Sequence, residues 1–346
     1  MSDEPKFEIM TSRQFQNWLY GQRASIAFST YQIGKIFMLG TNPDGKLHVT
    51  ERTFNRCMGL GYSGNTLWMS SLYQLWRFEN SLQPGQTYNN YDRVFLPQMA
   101  YTTGDLDIHD VIVGTDGKPV FVNTLFSCLA TVSETHSFRP IWNPPFITQL
   151  APEDRCHLNG LAAQNNEPAY VTMVSRSDVS DGWRDRRDNG GLVMDVRTNE
   201  VVCEGLSMPH SPRWYNGRLW VLEAGTGYFG YVNLETKTFE RMTFCPGFLR
   251  GMSFVGDYAV VGISSARKNK TFSGLQLDEN LKNANVDARC GMQIINLKTG
   301  ATEQWVRLSG IIDELYDVHV LPGVVRPLII GTQKDEIRTM ISIEQE

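Results

Sequence analysis

A chain of 346 residues, 41% hydrophobic, 20% charged and with a formal net charge of −5, is long enough for one large all-β domain or two ordinary ones. The acidic balance gives no general pull toward nucleic acid or an anionic membrane, so neither is expected as a partner. No stretch reaches the roughly 18 apolar residues of a membrane span, the opening MSDEPKF lacks the apolar core of a secretory signal, and six cysteines without a CxxC pair read as buried thiols; a cytoplasmic location is the expectation.

Residues 1–24 read as an N-terminal helical extension, with an amphipathic helix over 12–23 (SRQFQNWLYGQR) that puts Phe15, Trp18 and Leu19 on one side. Residues 25–54 have the character of the second, third and fourth strands of a sheet, without a first. Six later segments, beginning near 58, 109, 159, 211, 251 and 316, share one pattern: a short strand, a Gly/Asn/Asp turn, and a second strand of aromatic and β-branched residues. Further alternating pairs, such as 191–205, 230–242 and 291–305, follow most of them. Four antiparallel strands repeating in this way predict a six-bladed β-propeller over residues 25–346. The 25–54 segment then completes the blade opened at 316, which closes the ring strand to strand and removes sheet edges. One strand is left over, since 25–31 and 327–332 both read as second strands, and this leaves a seventh, partial blade open. Two insertions, 174–190 and 264–289, follow second strands and are expected to emerge on one face. Trp68, Trp76, Trp214, Trp220 and Trp305 fall where blades pack together; His48 and His136 are expected in solvent.

Four of the six histidines, His109, His157, His210 and His319, recur near the start of inner strands. With Arg56 and Arg250 they predict a ring of polar side chains around the channel: Arg56, His109, His157, His210, Arg250, His319. Imidazoles on neighbouring blades that converge with one open position suit a catalytic transition metal, Fe(II), Cu or Zn, with Asp107, Asp110 and Asn159 placed to orient the rings. Arg213, Arg250 and Asn159 are candidate substrate contacts, the arginines for an anionic group, and Trp183 is expected to lean over the channel mouth from the charged 174–190 loop. The glycines at 190–191 and 225–227 precede no helix and are read as turn residues, not a phosphate cradle.

The strings HLNGLA (157–162), MPHSPRWYNGRLWVLEAGTG (208–227), PGFLRGMSFVGDYAVVG (246–262), TFSGLQLDE (271–279) and LYDVHVLPGVVRP (315–327) resemble the bacterial DUF4915 family over about 25–332. The resemblance implies a β-propeller and carries no assigned reaction. It covers positions His109, His157, Asn159, His210, Ser211, Arg213 and Arg250, whereas the histidine at 319 lies outside the family's usual pattern. The functional expectation is a metal-dependent enzyme, of oxidoreductase or oxygenase type, acting on a small molecule or peptide with an anionic group. The alternative is a non-catalytic propeller that docks a peptide or protein partner.

Overall fold

The computed structural model describes residues 7–265 and 274–344; residues 266–273 of the second insertion lie outside it. Turn chemistry sets the local structure. At Asn216-Gly217, for example, φ values of 49° and 74° give the left-handed pair that reverses a two-residue hairpin.

The strands form six sheets around one axis. The first blade comprises Leu60–Ser63, Thr66–Ser70, Gln74–Asn80 and Arg93–Thr102; the second Ile108–Val113, Pro119–Asn123, Cys128–Thr131 and Arg139–Trp142. The third comprises Leu158–Gln164, Glu167–Met173, Gly191–Asp195 and Val201–Leu206; the fourth Pro209–Tyr215, Arg218–Glu223, Tyr228–Asn233 and Thr238–Phe244. The fifth holds Phe248–Val255, Tyr258–Ser264, Cys290–Asn296 and Thr302–Gly310. The sixth joins Val318–Pro322 to Ala24–Thr30, Lys35–Thr41 and Leu47–Thr53, the closure expected from the sequence.

The leftover strand starts no seventh blade. Pro327–Ile329 pairs in parallel with Arg93–Thr102 and becomes a fifth, outer strand of the first blade. The N-terminal extension is not purely helical either: Phe7–Thr11 pairs with Thr302–Gly310 as a fifth strand of the fifth blade, ahead of the helix Phe15–Gly21. Two further helices, Gln276–Asn283 in the second insertion and the short Glu336–Thr339, escaped the periodicity reading; the former buries only Leu277, too little for a stripe.

Blade packs on blade through apolar clusters, one of which holds Trp220, Phe229, Phe248 and Met252. Hydroxyls at the ends of second strands add a polar tie to the next inner strand: Ser70 donates to the Ile108 carbonyl at 2.9 Å, Thr124 to Leu158 at 2.6 Å and Ser264 to Leu315 at 2.9 Å. Two side-chain expectations need correction. Trp305, on the outer part of its blade, is 39% exposed. His48 is buried, because the Pro327–Ile329 strand lies across it and its Nε2 sits 3.2 Å from the Pro327 carbonyl. All six cysteines are free and buried.

Candidate functional site at the channel mouth

The inner strands of the second to fifth blades each carry a register shift at the point where the site forms, near 109–110, 159, 211–212 and 250–251. Such bulges re-aim side chains. There the ring has a tier in which glycine alternates with a polar residue: Gly59, Asp110, Gly160, Ser211, Gly251, Asp317. Each polar member accepts an N–H from the following blade: Asp110 from Leu161 at 3.0 Å, Ser211 from Gly251 at 3.0 Å, and Asp317 from Leu60 at 2.8 Å. Each glycine lets the next blade approach; a Cβ at Gly160 would lie 2.3 Å from Pro212 Cδ, and one at Gly251 2.6 Å from the Val318 nitrogen.

This tier corrects the expected register. One residue upstream, the true equivalents are Met58, His109, Asn159, His210, Arg250 and Tyr316. His157 stands two residues above Asn159, and His319 three beyond Tyr316. Arg56, likewise displaced, pairs with Asp105 at the rim.

Above the tier lies a cavity of about 180 Å³ lined by residues including Tyr31, His109, Asp154, His157, Trp183, Arg250, Glu314 and Tyr316. The His109 and His157 rings meet edge to face, with centroids 5.0 Å apart. These two histidines and the buried His210 all have Nδ1 committed. His109 Nδ1 lies 2.8 Å from the Asp107 carbonyl, His210 Nδ1 2.9 Å from the Met208 carbonyl, and His157 Nδ1 2.9 Å from Asp154 Oδ2. Carbonyls and carboxylates accept, so these contacts assign a proton to each Nδ1. Burial pulls His109 down to about 4 and His210 well below the usual imidazole range, so both rings are neutral near pH 7. His210 Nε2, Asn159 Nδ2, Tyr316 Oη and Asp154 Oδ1 are buried without a hydrogen-bond partner.

Trp183 does reach the mouth, but as a buried residue. Its ring stacks on His157 at 4.1 Å, and its Nε1 donates to Asp154 Oδ2 at 2.8 Å. The two insertions share that face, since Trp183, Leu275 and Leu277 belong to one apolar cluster.

The arginines are committed. Arg213 donates to both Asp110 oxygens, at 2.7 and 3.1 Å, and to the carbonyls of Met252, Leu161 and Pro212, with Asp317 at 3.7 Å. Asp110, Arg213 and Asp317 come from alternate blades, so the guanidinium lies across the axis and plugs the channel below the mouth. Arg250 pairs with Glu314 at 2.8 Å and lies over the Tyr316 ring at 4.8 Å. Asn159 accepts a hydrogen bond from Thr172 at 2.7 Å. His319 is separated from the other histidines: the charge it feels is that of Arg213, on the plug, and burial takes it down to about 3. Among the described residues no group of three or more His, Cys, Asp or Glu side chains is arranged to hold a metal ion. His109 and His157 are thus brought together without a third histidine completing a tripod.

Asp154, Glu314 and Tyr316 were missed by sequence reasoning. Asp154 lies in a loop three residues before His157, a spacing that, beside an inner-strand histidine, was the available signal.

The family model described as a domain of unknown function, DUF4915, matches residues 13–330. No curated protein matches. Among solved structures, the chain is similar to one in a nidogen–laminin complex, with a TM-score of 0.55 and 9% identity over 87% of this chain and 99% of that one. A Bacteroides caccae protein of unknown function follows at 0.48 and 9% identity, over 86% and 98%. Virginiamycin B lyase from Staphylococcus aureus stands at 0.40 and 11% identity, over 88% and 99%. At such identities the first likeness is one of fold.

Proposed function

The chain belongs to the DUF4915 family, a membership that brings no assigned reaction, and from the site itself we propose an enzyme that binds a small polar molecule at the channel mouth and moves a proton through His157. One observation carries this reading: a histidine lining a cavity, with Nδ1 2.9 Å from a largely buried carboxylate. Asp154 fixes the ring orientation and tautomer and stabilises the imidazolium formed when Nε2 accepts a proton. His109, held neutral by burial, stands beside it as a lone-pair acceptor. The cavity, of about 180 Å³, fits a small molecule or the reacting end of a larger one. Arg213 and Arg250 already carry acidic partners, Asp110 and Glu314, and Arg250 also lines the cavity.

The test is a thermal-shift screen of small metabolites followed by mass-spectrometric assay of turnover. A compound consumed by the wild type should be consumed about 10²–10⁴-fold more slowly by His157→Ala. A compound that binds and is never turned over, or is turned over equally by His157→Ala, rejects the reading; the first outcome returns the protein to the class of binding modules.

A second reading rests on the forced tautomers. Nδ1–H committed to a carbonyl or carboxylate, with Nε2 left bare, is how metal-ligating imidazoles are oriented. The separation of His109 and His157 suits two ligands of one transition metal, Fe(II), Cu or Zn. Elemental analysis after anaerobic purification decides it. Stoichiometric metal lost in both His109→Ala and His157→Ala supports a metal-dependent enzyme; metal-free protein that still turns over substrate rejects one.

A further inference from the structure

Resting on the proposal that the channel mouth binds a small polar molecule, we infer that this molecule carries a carbonyl oxygen beside an O–H or N–H. Tyr316 Oη donates to the carbonyl oxygen, and Asp154 Oδ1 accepts from the neighbouring donor. Both side chains line the cavity, and each buries the named atom without a hydrogen-bond partner. One atom is a donor and the other an acceptor, so a single ligand of this kind satisfies both at once. Tyr316 stands just ahead of the inner strand of the sixth blade, and Asp154 just ahead of that of the third. In a ring of six these two come to the cavity from opposite sides.

The rest of each residue is already committed. The Tyr316 ring lies 5.8 Å from that of Tyr31, meets His109 edge to face at 5.5 Å, and has the Arg250 guanidinium over it at 4.8 Å. A phenylalanine ring would make all three contacts. Backbone N–H groups fix its place: Leu315 donates to Ser264 Oγ at 3.1 Å, Tyr316 to the Ser29 carbonyl at 2.9 Å and Asp317 to Ser29 Oγ at 3.2 Å. Asp154 takes the Trp183 and His157 ring donors on Oδ2, at 2.8 and 2.9 Å, which leaves Oδ1 over. A buried hydroxyl with no partner works against folding, so packing alone gives the Tyr316 oxygen no use. A ligand oxygen does, and a donor and acceptor held this firmly are pre-organised for it.

The probes are hydroxyacetone, which has both groups, and two molecules of its size. Butanone lacks the hydroxyl, and methallyl alcohol has a methylene in place of the carbonyl oxygen. Binding to the full-length protein is followed by saturation-transfer NMR titration. Hydroxyacetone and butanone should each bind about 3–10-fold more weakly to Tyr316→Phe than to the wild type, and methallyl alcohol equally to both. In the wild type hydroxyacetone should bind more tightly than butanone, because it alone of the two offers Asp154 a donor. A measurement without ligand backs these: Tyr316→Phe should keep or raise the urea midpoint, since its hydroxyl has no partner to lose. The inference falls if no probe binds, if the variant treats all three alike, if butanone equals hydroxyacetone, or if Tyr316→Phe lowers the urea midpoint. None of these readouts uses turnover. Probes that bind as expected in a protein whose turnover survives His157→Ala remove the proton-transfer reading alone. A compound turned over through His157 and indifferent to Tyr316→Phe removes only the carbonyl seat.

Discussion

At the scale of single residues, the tier where glycine alternates with Asp110, Ser211 and Asp317 decides what the mouth looks like. Gly160 has an ordinary backbone, so its role is steric: a methyl there would meet Pro212 Cδ at 2.3 Å and Thr172 Oγ1 at 2.6 Å. Gly160→Ala should therefore cost about 1–3 kcal/mol by overpacking, read as a lower urea midpoint. Asp317 offers a pH test. Burial, with Asp110 nearby, raises its carboxyl to about 7 from 3.8. The folded state then binds a proton that the unfolded chain releases, so this contribution to stability is present at acid pH and declines as pH rises from about 4 to about 7. Urea unfolding at pH 5 and pH 8 should show that decline, and Asp317→Asn should flatten it. His109 and His157 were legible as neighbours at the mouth because a repeat brings nearby positions to one axis. Their exact phase was not. It depends on backbone bulges, and on the contact of each glycine with the next blade, neither of which has a one-dimensional signature in the hairpin pattern.

At the scale of elements, the sequence is most informative where a pattern is incomplete. Residues 25–54 lacked a first strand and 316 onward lacked its later ones, and the sixth blade is their union. The outer strand Phe7–Thr11 was illegible because FEIMT alternates only weakly and acquires a partner only once Thr302–Gly310 is in place. The difference between these elements is testable by deletion. Without residues 7–11 the fifth blade keeps four strands, so the protein should remain folded with its melting temperature lowered by only a few degrees, for a loss of about 1 kcal/mol. Without residues 316–346 the sixth blade loses its inner strand and the ring opens; calorimetry should then show no cooperative transition.

At the scale of the whole molecule, Arg213 reaches across the ring to Asp110, with His319 beside it and the cavity lined by His109 and His157 above. His319→Ala should thus leave turnover at the mouth unchanged, while His157→Ala slows it; assaying both variants on any compound found by screening distinguishes the two. Replacing the plug itself is another matter. Arg213→Met would leave Asp110 and Asp317 buried without their cation, and a loss of about 3–5 kcal/mol is expected in chemical denaturation.

The two ends of the chain are stitched onto the blades either side of the closing one. Phe7–Thr11 reinforces the fifth, and Pro327–Ile329 runs along the first. Peeling either end away therefore loosens a sheet edge before it reaches the seam, and the inner strand at that seam stays anchored from both flanks. Fraying from the ends is decoupled from opening of the ring, so a protease trimming a terminus would meet an intact toroid rather than an unzipping one.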